Sequence, residues 1–218
     1  MTQPIIFLHG ALGSGAQMQP LAQLVSGTVV CPDFYGHGAL ASDETPYRIA
    51  AFTAQIAESM EDGSTVFGYS MGGYVALYLA ANYPSKVRKV ITLATKFDWN
   101  PISAAAEVRM LNPDKVLEKI PAFAKQLEKQ HGAYWPNVMH RTAAMVLEMG
   151  EQPPLTVDVL AKVQAEVVLL RGDADTMVGA EETKWAQSKI RGAAAFELPN
   201  QPHVLAKMNL ELVAHYVV

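Results

Sequence analysis

The residues best suited to chemistry in this 218-residue chain are a serine, two aspartates and a histidine, and each stands where the chain turns. Ser70 lies inside Gly68-Tyr69-Ser70-Met71-Gly72-Gly73. Asp173 and Asp175 follow Arg171-Gly172, and His203 ends Pro199-Asn200-Gln201-Pro202-His203. A serine hydroxyl is a weak nucleophile until a base takes its proton, and the base works best when an acid holds it in one tautomer. Imidazole can take a proton and return it near neutral pH, so a serine, a histidine and an aspartate together suit acyl transfer. The negative oxygen that forms during such a reaction needs donors as well. The N–H of Met71, at the start of a predicted helix, is one of them.

The elements around Ser70 fit that use. Ser64-Thr65-Val66-Phe67 reads as a strand, and Tyr74 to Ala81, free of breakers, reads as a helix. The serine therefore sits on a sharp strand-to-helix turn. Glycines two positions away on each side let strand and helix approach and leave the hydroxyl clear of the sheet.

The rest of the chain alternates in the same way. Ile5-Ile6-Phe7-Leu8 is a buried strand that ends in His9-Gly10-Ala11-Leu12-Gly13-Ser14-Gly15, and a helix follows through Val25. The glycines at 10, 13 and 15 do not fit the G-x-G-x-x-G spacing of a dinucleotide site. Thr28-Val29-Val30-Cys31 is the next strand, with Pro32 to Gly38 as its loop. A helix is expected from Tyr47 to Glu61, with Thr45 as cap and Pro46 in its first turn. Val87 to Ala94 is a strand, and from Lys96 to about Lys162 no strand is expected. Helices are predicted there over Ser103–Leu111, Pro113–Gln130 with a break at Pro121, and Trp135–Met149. Strand and helix then resume with Val167–Leu170, Ala180–Ile190, Ala194–Leu198 and a last helix from Val204 to the end. Short-linked alternation of this kind implies parallel strands and right-handed crossovers. The expected organisation is a core of residues 1–95 and 165–218 with a helical lid at 96–164. The lid is rich in methionine and aromatic side chains that could line an apolar pocket.

Composition excludes several classes of function. Half of the residues are hydrophobic and 17% are charged, which fits a globular chain. The net charge is −4 with no basic run, which argues against a nucleic-acid partner. The single cysteine, Cys31, has no partner for a disulfide. Met1-Thr2-Gln3-Pro4 lacks the basic start of a signal peptide, and no apolar run reaches the roughly 20 residues of a membrane helix. A cytoplasmic protein acting on a small molecule, with no membrane insertion, no metal and no cofactor, is the expectation.

In open parallel sheets the site lies beyond the carboxyl ends of the strands, and Ser, Asp and His occur there in that chain order. At this point the chain resembles the α/β-hydrolase superfamily. The resemblance rests on His9-Gly10, Asp33-x-x-Gly36-His37-Gly38, the Ser70 turn, Gly172-x-x-Asp175-x-x-Val178 and His203. It implies an α/β-hydrolase fold in which Ser70 is the nucleophile and His203 the base. Asp175 is favoured over Asp173 as the acid, and the lid falls where the alternation stops. The two N-terminal strands usual in that family are missing, so about six strands, all parallel, are expected.

The resemblance places the oxyanion donors at the N–H groups of Met71 and Ala11, with Leu12 in place of Ala11 if the turn is wound differently. Leu12, Tyr69 and Trp99 are candidates for touching substrate. Of the six histidines, His9 and His37 match structural positions, His131 and His140 belong to the lid, and His215 belongs to the last helix. Hydrolysis of an ester or related acyl bond is the implied reaction. The alternatives are C–C cleavage, lyase or acyl-transfer chemistry on the same three residues, or a binding protein that kept the pocket. An anionic substrate of the menaquinone-lyase kind would need Arg88, Arg109 or Arg141 to face inward.

Overall fold

The computed structural model describes residues 4–217; Met1–Gln3 and Val218, which begin and end the stretches considered above, lie outside the described residues. Six strands form one sheet in which every pair of neighbours is parallel. They are β1 (Ile5–Leu8), β2 (Val29–Val30), β3 (Ser64–Tyr69), β4 (Val87–Leu93), β5 (Glu166–Gly172) and β6 (Ala194–Leu198). The order across the sheet is β2-β1-β3-β4-β5-β6. The chain leaves β1 toward one edge and returns through β3 toward the other. The crevice between the carboxyl ends of β1 and β3 is therefore the topological switch point.

Both faces of the sheet are covered, as the wholly apolar strand β1 and the apolar run Val167–Leu170 of β5 require. Alternate residues serve opposite cores. Ile6, Leu8, Val66, Val90, Val167 and Leu169 join α2 (Ile49–Ser59), α3 (Met71–Asn82) and α9 (Ala180–Lys189) on one face. Phe7, Phe67, Ile91, Leu93, Leu170 and Leu198 join α1 (Gly15–Ala22) and α10 (Leu210–Ala214) on the other.

Between β4 and β5 the chain is helical: α4 (Pro101–Val108), α5 (Pro113–Lys119), α6 (Pro121–His131), α7 (Trp135–Glu151) and the short α8 (Val157–Leu160). Pro121 separates α5 from α6, since it has no N–H to continue the ladder. Asn100 and Ser103 make a reciprocal cap at the start of α4. Val116, Ala124, Leu127 and Met139 form a small core of their own, against which Leu12 from the body of the protein packs.

Three expectations about elements are corrected. The helix expected from Tyr47 begins at Ile49, with Arg48 extended. Residues 43–47 are held by remote partners instead: the Arg141 guanidinium donates to the Asp43 and Thr45 carbonyls, and the Tyr47 hydroxyl donates to Gly36 O at 2.6 Å. The last helix is not continuous from Val204. A 3-10 turn at Leu205–Lys207 stops, and Asn209 caps a new helix by accepting from Leu212 N–H at 3.1 Å. Strand β2 is two residues long rather than four, because it lies at the sheet edge, pairs only with β1, and meets Pro32 just beyond.

Candidate functional site

Ser70 occupies the turn between β3 and α3 with φ +52° and ψ −116°, outside the regions that side-chain-bearing residues favour. Such a conformation costs about 1–3 kcal/mol and persists only where neighbours fix it. Here Ser70 N–H donates to Leu93 O at 2.8 Å, and Ser70 O accepts from Gly73 N–H at 3.0 Å and Thr95 Oγ1 at 3.1 Å. The glycine at 72 is required by close approach, since a Cβ there would stand 2.2 Å from Leu8 O. Met71 begins α3, so its N–H is one of the helix's unpaired donors.

His203 follows β6, and its Nδ1–H donates to Asp175 Oδ2 at 2.8 Å. The other carboxylate oxygen accepts from Met177 N–H at 2.8 Å and Val178 N–H at 3.0 Å. Burial alone would raise the Asp175 carboxyl; the hydrogen bond and charge of His203, with the two backbone donors, outweigh it and hold the group below its ordinary 3.8. Asp173, the other candidate, accepts from Asn200 N–H at 2.6 Å and serves the turn. With Nδ1 donating to Asp175, the Nε2 of neutral His203 carries a free lone pair.

Tyr69 links the two halves. Its ring centroid lies 5.8 Å from that of His203, and its hydroxyl donates to His203 O at 3.0 Å. Burial pushes the hydroxyl up to about 12, so it remains a donor. Tyr69, expected to touch substrate, thus has its hydroxyl committed to the histidine loop.

The loop after β1 closes the site from the other side. A Cβ on Gly10 would stand 2.9 Å from the Tyr69 ring and 3.3 Å from Ser70 Cβ, so this backbone lies directly against the serine. Gly10 O accepts from His9 Nδ1–H at 2.8 Å and Gly13 N–H at 3.1 Å. The Nε2 of His9 accepts from Phe34 N–H at 3.2 Å, which fixes the tautomer. Complete burial lowers His9 from 6.5 to about 4, so the ring stays neutral. In a trans peptide the N–H points away from the C=O. With Gly10 O bound inside the turn, the Ala11 N–H faces outward. Leu12, the next residue, has φ +58°.

Trp99 lines a different space. A cleft of about 650 Å³ is bounded by Phe97, Trp99, Leu155, Glu182 and Trp185 among others, and Ser70, Asp175 and His203 are not among its lining residues. Glu182 shapes this region by accepting from Phe97 N–H at 2.6 Å and Asp98 N–H at 2.9 Å.

Several structural contributors lie far in sequence from the groups they hold. Thr95 holds the Ser70 carbonyl from the end of β4. Asp33 accepts from Gly15 N–H at 2.6 Å and Ala39 N–H at 2.8 Å, tying the loops after β1 and β2. His131, at the end of α6, reaches partners 93 and 119 residues away. Among the described residues no group of three or more His, Cys, Asp or Glu is arranged to hold a metal ion, and no helix is long and apolar enough to cross a membrane.

Comparison with known proteins agrees with this fold. Residues 3–142 match the family described as alpha/beta hydrolase fold. The chain is 43% identical over 63 residues to the pimeloyl-[acyl-carrier protein] methyl ester esterase of Neisseria meningitidis serogroup B, a stretch covering 29% of this chain and 24% of that enzyme. It is 30% identical over 141 residues to Lipase LipV of Mycobacterium tuberculosis, covering 62% of this chain and 52% of that protein. The chain thus spans about half or less of the length of these relatives. A solved structure of a putative lipase from Acinetobacter baumannii superimposes with TM-score 0.80 at 18% identity, covering 98% of this chain and 81% of that one.

Proposed function

This chain belongs to the alpha/beta hydrolase fold family, and from that premise we propose that it hydrolyses an ester or related acyl bond through an acyl-enzyme. The observation that carries the reading is the 2.8 Å pair of His203 Nδ1 and Asp175 Oδ2, braced by Tyr69 beside the strained Ser70. Ser70 Oγ attacks the acyl carbon while His203 Nε2 takes its proton. The alcohol leaves with that proton, and the acyl group remains on the serine. Water then attacks the acyl-enzyme, again giving a proton to His203, and Ser70 is released protonated with a free carboxylic acid as product. Asp175 keeps Nδ1–H in place and offsets the imidazolium charge. The N–H groups of Met71 and Ala11 receive the oxyanion, where one donor is worth about 2.7–4 kcal/mol in known cases.

The substrate class is a small to medium, largely apolar ester, with the helices of 96–164 acting as its lid. Two relatives are named as an ester hydrolase and a lipase, which supports an ester over other acyl bonds. Of the arginines that an anionic lyase substrate would need, Arg141 is spent on the Asp43 and Thr45 carbonyls. Arg88 binds Thr65 Oγ1 near the amino ends of β3 and β4, at the opposite end of these strands from Ser70.

The test is a burst assay with p-nitrophenyl esters of increasing acyl length. An early burst that scales with enzyme, and a fall of about 10⁴-fold or more in Ser70→Ala, is the expected outcome. Turnover undiminished in Ser70→Ala, or a folded protein inert both to esters and to a phosphonate probe, would sink it.

A further inference from the structure

His131 belongs to the helical insertion, yet both of its ring nitrogens bind the sheet's carboxyl-end loops. Its Nδ1 accepts from Gly38 N–H at 3.0 Å, which leaves the proton on Nε2, and that N–H donates to Leu12 O at 3.0 Å. The residue is 2% exposed, and burial lowers its pKa below 6.5, in keeping with a nitrogen that accepts from Gly38 N–H. Leu12 is the second central residue of the turn closed by Gly13 N–H on Gly10 O, and it takes a left-handed φ of +58° there. That position favours glycine, and a leucine has no local reason to adopt it. Two remote contacts supply the reason. His131 holds the Leu12 carbonyl, and the small core of Val116, Ala124, Leu127 and Met139 holds its side chain. Both come from the insertion.

We infer that His131 is a positioning residue for the oxyanion donor: by fixing Leu12 it holds the turn that aims Ala11 N–H at the serine, so the donor is in place only when the insertion is docked. This deepens the ester-hydrolysis reading and rests on it. His131 does not touch substrate; it acts through Leu12.

An asparagine places its amide where Nδ1 stands, and a glutamine reaches where Nε2 stands. His131→Asn keeps a partner for Gly38 and loses Leu12, whereas His131→Gln keeps the donor to Leu12. In ester turnover, His131→Asn should lose about 10- to 100-fold in kcat with KM within about twofold, and His131→Gln should stay within about threefold of wild type. Amides of residues 10–13 should exchange about tenfold faster or more in His131→Asn. Glycine takes a left-handed φ unaided, so adding His131→Asn to Leu12→Gly should cost less than about threefold beyond Leu12→Gly alone. This double variant also serves if His131→Asn does not fold. Equal loss in the asparagine and glutamine variants, unchanged kcat in His131→Asn, or the full loss in the Leu12→Gly background would overturn the inference. If Ser70→Ala is as active as wild type, the hydrolase reading is what fails. The exchange rates then decide alone, and unchanged rates at residues 10–13 would refute the tie.

Discussion

The carboxyl edge of this sheet uses histidine in two opposite settings. His203 is partly exposed and donates to a carboxylate, so a proton gained on its free nitrogen meets a compensating charge. His9, His37 and His131 are buried together, with ring centroids 5.1 Å apart for the first two and 5.9 Å for the last two. None of the three has a carboxylate as a hydrogen-bond partner: His9 and His131 pair with backbone groups on both nitrogens, and His37 pairs with Tyr35 O on one. Burial lowers the pKa of all three. The same side chain is thus paired to a carboxylate in one setting, where the proposed mechanism has it carry a proton. Where burial outweighs the nearby Asp33 charge and the hydrogen-bond partners are peptide groups, it is a fixed link that donates on one side and, for His9 and His131, accepts on the other.

The largest test of this contrast removes the charge from the His203 side. Asp175→Asn should leave the fold intact, because the amide oxygen can still accept from Met177 and Val178 N–H. It should lower kcat by about 10⁴-fold, since an amide neither fixes the imidazole tautomer nor offsets its charge. Steady-state kinetics on an activated ester would measure this, and a loss under about tenfold would mean that His203 works without its partner.

The next test is acid stability, which concerns the other three rings. Between pH 6.5 and about 4, an unfolded His9 is protonated and the folded one is not, so the unfolded state binds more protons. Stability from this group is complete above pH 6.5 and is lost as pH falls through about 4, amounting to about 3 kcal/mol. Urea unfolding at several pH values should show the slope in this window, and it should flatten in His9→Asn. Asp175 acts lower: its depressed carboxyl loses its contribution only as pH falls below its ordinary 3.8, which separates the two sides of the comparison.

The smallest expected effect belongs to the link between the serine strand and the histidine loop. Tyr69→Phe removes one hydrogen bond to His203 O and should cost about 1 kcal/mol of stability. A several-fold fall in kcat with little change in KM should accompany it. A change in KM alone would return Tyr69 to the role of a substrate contact.

How much of this was legible in the sequence followed the range of the interactions. The strand Ile5–Leu8 is plain in the sequence because a strand buried on both faces is apolar at every position, and Val87–Leu93 is plain from the largely apolar run that follows Arg88 and Lys89. The Ser70 turn was legible because its glycines answer a local clash. Helix α2 was placed too early, because Arg141, far along the chain, captures the carbonyls that Thr45 and Asp43 would otherwise present. The break in the last helix has a local signal, since Asn209 is a good cap residue, but a helix read from Val204 runs through it. Trp99 is a candidate substrate contact because it lies just past the end of β4, and it lines the cleft bounded by Phe97, Leu155, Glu182 and Trp185. His131 was read only as a residue of the insertion, since no neighbour in sequence hints at Leu12 or Gly38.

The placement of the insertion has a consequence for how such a molecule can change over time. It leaves the sheet after Leu93 and returns at Glu166, and these two strands are paired neighbours. Closing a chain between fixed ends costs only about 0.6 kcal/mol more for each doubling of its length. Lengthening, shortening or exchanging this segment is therefore inexpensive for the sheet, and a lineage could trial many insertions on one unchanged sheet. Any substitute insertion would still have to bring a donor to the Leu12 carbonyl.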